Sequence, residues 1–63
     1  MITDEQKTRL EQYKTVFLTD IQNQMADESF AVYQKIKGYL QALNDIGQIT
    51  DNEMNTLLKE YAL

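Results

Sequence analysis

The side chains of this chain that could do chemistry are carboxylates: Asp27 stands beside Glu28, and Asp51 lies two residues before Glu53. Paired carboxylates can divide acid and base work when their surroundings separate their pKa values. Both pairs, however, fall where a helix is expected to begin, and there a negative charge complements the positive end of the helix dipole. Histidine and cysteine are absent, which removes thiol nucleophiles, His-based triads and the usual zinc, haem and iron–sulfur ligands. There is no glycine-rich phosphate loop either. The expectation is a non-enzymatic protein with no catalytic residue, cofactor or metal. A chain of 63 residues also has little room to enclose the pocket of about 300 Å³ or more that a small-molecule site needs.

The remaining constellation is Gly47, Ile49, Thr50 and Glu53. Its spacing matches the second half of a calcium-binding EF-hand loop, where glycine makes the bend and glutamate chelates the ion. Carried back, the first, third and fifth loop positions are Ala42, Asn44 and Ile46. Two of these lack a side-chain oxygen, so the ligand count for calcium is not reached. Helix capping accounts for the same residues without a metal. Gly47 can take the left-handed conformation that ends a helix; Thr50 and Glu53 form a capping box, and Ile49 with Met54 a hydrophobic staple. A helix, a glycine turn and a helix also outline a DNA-reading motif. The last helix nevertheless offers Asp51, Asn52, Asn55 and Glu60 against a single Lys59, the wrong charge for that role.

Three elements must position these residues. Thr3, with Gln6 three residues on, starts the first in a capping box, and Leu10, Tyr13, Phe17, Ile21 and Met25 recur at helical spacing behind it. Asp27 is placed as N-cap of a second helix, carrying Val32, Tyr33, Ile36, Tyr39, Leu40, Leu43 and Ile46. The third presents Met54, Leu57, Leu58 and Tyr61. The expected fold is a single all-α domain over 1–63, a small bundle of helices at about 3–26, 28–46 and 50–62. An alternative keeps the apolar phase unbroken in one helix over 4–46, with the short helix docked on it, and needs a dimer to cover its stripe. Gly38, inside the second helix, is read as a point of close approach by a neighbouring helix.

From Leu40 to Leu63 the pattern of a helix, a Gly-x-Ile-Thr-x-x-Glu turn and a leucine-containing last helix resembles the short C-terminal helical hairpin domain of many bacterial proteins. The resemblance implies a role in interaction or oligomerisation. The long helical portion before Leu40 departs from it.

Ten acidic and six basic residues give a net charge of −4. The bases are scattered, which argues against nucleic-acid binding by counterion release. No signal-peptide core follows the charged N-terminus, and no apolar run approaches the ~18 residues of a membrane span, so a cytoplasmic protein off the membrane is expected. Without disulfides or metal, so short a chain needs regular packing, self-association or a partner. The candidate core or self-association set is Leu10, Phe17, Ile21, Met25, Val32, Ile36, Leu40, Leu43, Ile46, Leu57 and Leu58. Val16, Leu18, Phe30, Tyr33 and Tyr39 are candidates for partner binding, since tyrosine and other large apolar side chains are enriched at interfaces. The functional expectation is a self-associating protein–protein interaction module, a homodimer acting as regulator, inhibitor or assembly factor, a class that includes proteins carried by phages and mobile elements. Its rivals are a DNA-binding transcriptional regulator and an acidic inhibitor that occupies a nucleic-acid site on its target.

Overall fold

In the computed structural model, which describes residues 1–62, three helices follow one another: α1 (Asp4–Gln22), α2 (Ala26–Asp45) and α3 (Asp51–Ala62). α1 starts at the expected capping box. The Gln6 amide donates to Thr3 Oγ1 at 3.2 Å, and the Thr3 amide donates to Gln6 Oε1 at 2.9 Å, so two amides without intrahelical partners are satisfied reciprocally. Asp4 and Glu5 occupy the first turn, where the helix dipole favours negative charge.

α1 ends earlier than its apolar spacing suggests, and Gln24 is the reason. This residue takes a left-handed backbone with φ 58°. Its amide donates to the Ile21 carbonyl at 3.0 Å, and the Met25 amide reaches the Asp20 carbonyl at 2.8 Å. That pair of bonds is a Schellman motif. The single helix over 4–46 is therefore broken at 23–25. α2 then begins with Met25 as N-cap, which makes no side-chain capping bond. Asp27 and Glu28 lie in the first turn, so Asp27 stabilises the helix start through its charge instead of capping it.

α2 supplies the spine of the core with Val32, Ile36, Leu40 and Leu43, at helical spacing and all buried. It ends in a second Schellman motif, with the Gly47 amide on the Asn44 carbonyl and the Gln48 amide on the Leu43 carbonyl, both at 2.9 Å. Asn44 holds the turn from within: its Nδ2 donates to the Ile49 carbonyl at 3.1 Å and to Asp51 Oδ1 at 2.9 Å. The capping box of α3 follows, with the Glu53 amide on Thr50 Oγ1 at 3.1 Å and the Thr50 amide on Glu53 Oε1 at 3.0 Å.

Pairs of contacts between elements fix the topology. Tyr13 meets Tyr39 edge to face, with ring centroids 6.1 Å apart, and Gln6 bonds Gln48, so α2 runs antiparallel to α1. The Met1 ammonium lies 3.3 Å from Glu53, and Lys14 Nζ sits 5.8 Å from the Tyr61 ring centre, so α3 runs parallel to α1. The result is an up-down-up three-helix bundle. Its core joins Leu10 to the α2 spine, Ile49, Tyr61 and Ala62. Phe17, Tyr13, Tyr33, Tyr39, Met54, Leu57 and Leu58 pack partly buried around it.

Three residues of the expected core or self-association set are exposed, Ile21 at 52%, Met25 at 40% and Ile46 at 73%, while Phe17, Leu57 and Leu58 are half-buried. The three exposed ones are in phase with buried neighbours. Ile21 lies beyond the described part of α3, and Met25 lies past the break at Gln24, as the N-cap of α2. Ile46 is the C-cap of α2, where the chain turns away and Ile49 takes the inward place. Gly38 is also corrected. A Cβ built on it meets nothing within 4 Å, so no helix approaches there.

Candidate functional site

The two ends of the bundle are held by different contacts, and a groove of about 310 Å³ lined by Met1, Ile2, Asn52, Glu53, Thr56 and Leu57 opens beside the first. At one end, the starts of α1 and α3 and the Gly47 turn are locked together by polar groups. Gln6 Nε2 donates to Gln48 Oε1 at 3.0 Å, the Gln48 amide group donates back to Gln6 Oε1, and the Met1 ammonium donates to the Gln48 carbonyl at 3.0 Å. Glu53 belongs to this lock. The Thr50 amide, and after it the Met1 ammonium, hold its carboxyl below the ordinary value. Both oxygens are committed, Oε1 to the Thr50 amide and Oε2 to the ammonium. Among the described residues no group of three or more His, Cys, Asp or Glu could hold a metal ion. Thr50, Glu53, Gly47 and the buried Ile49 thus serve as cap and turn.

At the other end the α1–α2 hairpin extends past the described part of α3. α1 has 19 residues and α3 has 12. The two start side by side, so at 1.5 Å per residue the α1–α2 hairpin runs about 10 Å past the end of α3. Every residue from Ile21 to Glu28 is exposed. In this overhang Leu18 is 54% and Phe30 63% exposed, beside the Ile21 and Met25 already described. A groove of about 330 Å³ opens where α3 stops, lined by Lys14, Phe17, Leu18, Ile21, Tyr61 and Ala62. On α2, Phe30 stacks on Tyr33 with ring centroids 6.5 Å apart and planes inclined by 22°.

The five residues expected to meet a partner do not stay together. Leu18 and Phe30 lie on the overhang, and Tyr33 joins them half-buried as the platform under Phe30. Val16 is exposed but two residues from Leu18, hence about 160° away round the helix. Tyr39 is turned inward against Tyr13 and is part of the packing between α1 and α2. Ile21 and Met25, expected within the core or a self-association seam, take their place on the open end.

Sequence reasoning missed Ala62, which is buried, and the seating of Lys14 over Tyr61. Lys14 lies four residues after the buried Leu10, on the same face, and that spacing was the available signal. Tyr61 is closed in by the junction: burial first, and then the charges of Glu60 and Glu11, push its phenol above the ordinary value. No described helix is long and apolar enough to cross a membrane. Compared with protein-family models, with curated proteins and with solved structures, the chain matches none. The reading of the site therefore rests on its own geometry: a small three-helix bundle tied by polar contacts at one end, with its α1–α2 hairpin extending past α3 at the other.

Proposed function

We propose that this chain is a non-enzymatic interaction module, of the regulator, inhibitor or assembly-factor kind, that docks on another protein through the open end of its α1–α2 hairpin. One observation carries this reading: Leu18, Ile21, Met25 and Phe30 are all exposed in the overhang beyond α3. Scattered surface apolar residues need no explanation, but several large ones gathered on one overhang support an interaction surface.

Reading DNA is a poorer match to the same features. The residues of α3 expected to face outward include Asn52, Asn55 and Glu60 beside Lys59, with no concentration of positive charge to meet phosphate.

The test is capture from the source cell's lysate by the full chain, by a Leu18→Ser/Ile21→Ser variant and by Ile46→Ser. All three positions are exposed, so folding is preserved in each case. The expected result is a captured protein that disappears with the double variant and persists with Ile46→Ser. Capture unaffected by the double variant would overturn the reading.

A further inference from the structure

We propose that the open end receives a short amphipathic helix of the partner whose polar face is basic, lying in line with α3. This rests on the docking reading above and adds the partner's chemistry and pose.

The pose follows from continuity. α3 lies against both helices of the hairpin as far as Ala62, where Tyr61 and Ala62 meet Lys14, Phe17, Leu18 and Ile21 around the groove. Ile21 lies two turns above Lys14, which contacts α3 through Tyr61, so both are on the α3-facing side of α1. On α2, Tyr39 faces α1. Tyr33 lies about 120° round the helix from it, toward the flank left for a third helix, and Phe30 extends that flank by stacking on Tyr33. Among the described residues, the flanks between which α3 packs thus continue past Ala62. That extension of about 10 Å corresponds to roughly two helical turns, the length over which i, i+3, i+4 and i+7 anchors of a helix in a groove act.

The chemistry follows from charge. Between Lys14 and Lys35 the sequence has no basic residue, while Asp20, Asp27 and Glu28 fall in that interval. All three lie on the overhang, at the end of α1 and the start of α2. The one cation lining the groove, Lys14, is at its foot and rests over the Tyr61 ring. An overhang that carries large exposed apolar residues, three acids and no base beyond Lys14 complements a helix with leucine-type anchors flanked by Lys or Arg. A second copy of this end would instead bring three acids against three acids, an arrangement that like-charge repulsion disfavours. The same three acids disfavour an anionic membrane surface.

The experiment uses the full chain, labelled with ¹⁵N, and three synthetic helical peptides of about 12 residues. They share one leucine stripe and carry Lys, Gln or Glu on the polar face. The Lys peptide is expected to shift the amides of Leu18, Ile21, Met25, Phe30 and Tyr33, to lose binding with Ile21→Ser, and to keep it with Ile46→Ser. The Gln peptide should bind about ten-fold more weakly, the size expected of a few exposed ion pairs, and the Glu peptide not detectably. An Asp27→Asn/Glu28→Gln variant should reduce the preference for Lys over Gln. Equal binding of the Lys and Gln peptides at this end would overturn the basic chemistry while leaving the docking reading intact. Shifts spread over the acidic surface and indifferent to Ile21→Ser would overturn the site. Shifts at the same amides that grow with the chain's own concentration, without peptide, would make the occupant a second copy and overturn the proposal.

Discussion

Gln24 and Gly47 occupy the same position in two copies of one helix-ending motif, with φ of 58° and 78°, but only one of them is a glycine. The hydrogen bonds match: each residue's amide reaches the carbonyl three residues back, and the next amide reaches the carbonyl five back. Left-handed backbone costs a residue with a Cβ about 1–2 kcal/mol. Gln24→Gly should therefore stabilise the fold by about 0.5–1 kcal/mol, and Gly47→Ala should destabilise it by about 1 kcal/mol or more. In a domain this small, 1 kcal/mol moves Tm by about 4–8 °C. Thermal melts followed by circular dichroism read both, and a lower Tm for Gln24→Gly would contradict the strain assigned to Gln24.

Gly38 offers a gain of a different origin. It lies inside α2, and a Cβ there meets no atom within 4 Å. Gly38→Ala restricts the unfolded chain without crowding the folded one, so it should stabilise by about 0.5–1 kcal/mol. Denaturant midpoints should rise with an unchanged slope. A loss of stability would restore the close helix approach that the sequence suggested and the structure does not contain.

What was legible in the sequence is local chemistry and periodicity. Thr3 with Gln6, and Thr50 with Glu53, announce their capping boxes because three-residue spacing is all that such a box requires. Leu10, Val32, Ile36, Leu40 and Leu43 announce a buried stripe because helical spacing brings them to one side. What was not legible depends on how far one helix reaches along another. Ile21 repeats the phase of Leu10 yet remains exposed, since the described part of α3 stops before it, and Met25 is exposed because α1 breaks at Gln24. Gln24 carries no mark of its left-handed backbone, because glutamine has no preference for it. The Gln6–Gln48 bond joins side chains 42 residues apart, and nothing in either residue type specifies the other.

That distinction can be measured, because Ile36 and Ile46 are the same residue type on the same predicted stripe. Ile36 is completely buried, whereas Ile46 is mostly exposed. Ile36→Ala should cost about 2–5 kcal/mol through lost burial and the cavity left behind. In a chain of this size that is most of the available stability, so the variant should be largely unfolded at 25 °C. Ile46→Ala should stay within about 0.5 kcal/mol of the parent. Urea titrations of the pair decide it, and comparable losses would mean that Ile46 is covered in solution by a second molecule.

Glu53 makes the polar end sensitive to pH. Its carboxyl is held below the ordinary value of 4.5 by the Thr50 amide and the Met1 ammonium. A carboxyl whose pKa is lower in the folded than in the unfolded chain binds its proton less readily when folded. Its contribution is therefore fully present well above the unfolded value and is lost as pH falls through the folded one. Glu53→Gln keeps an oxygen for the Thr50 amide, as Gln6 does for Thr3, but it removes the charge that faces the ammonium. At pH 7 the variant should have the lower urea midpoint. The gap should narrow as pH drops below about 4.5 and close once Glu53 of the parent is protonated. Midpoints at pH 7, 5, 4 and 3 follow that convergence, and a gap that stays constant or widens toward low pH would show that the charge of Glu53 does not hold the two helix starts together.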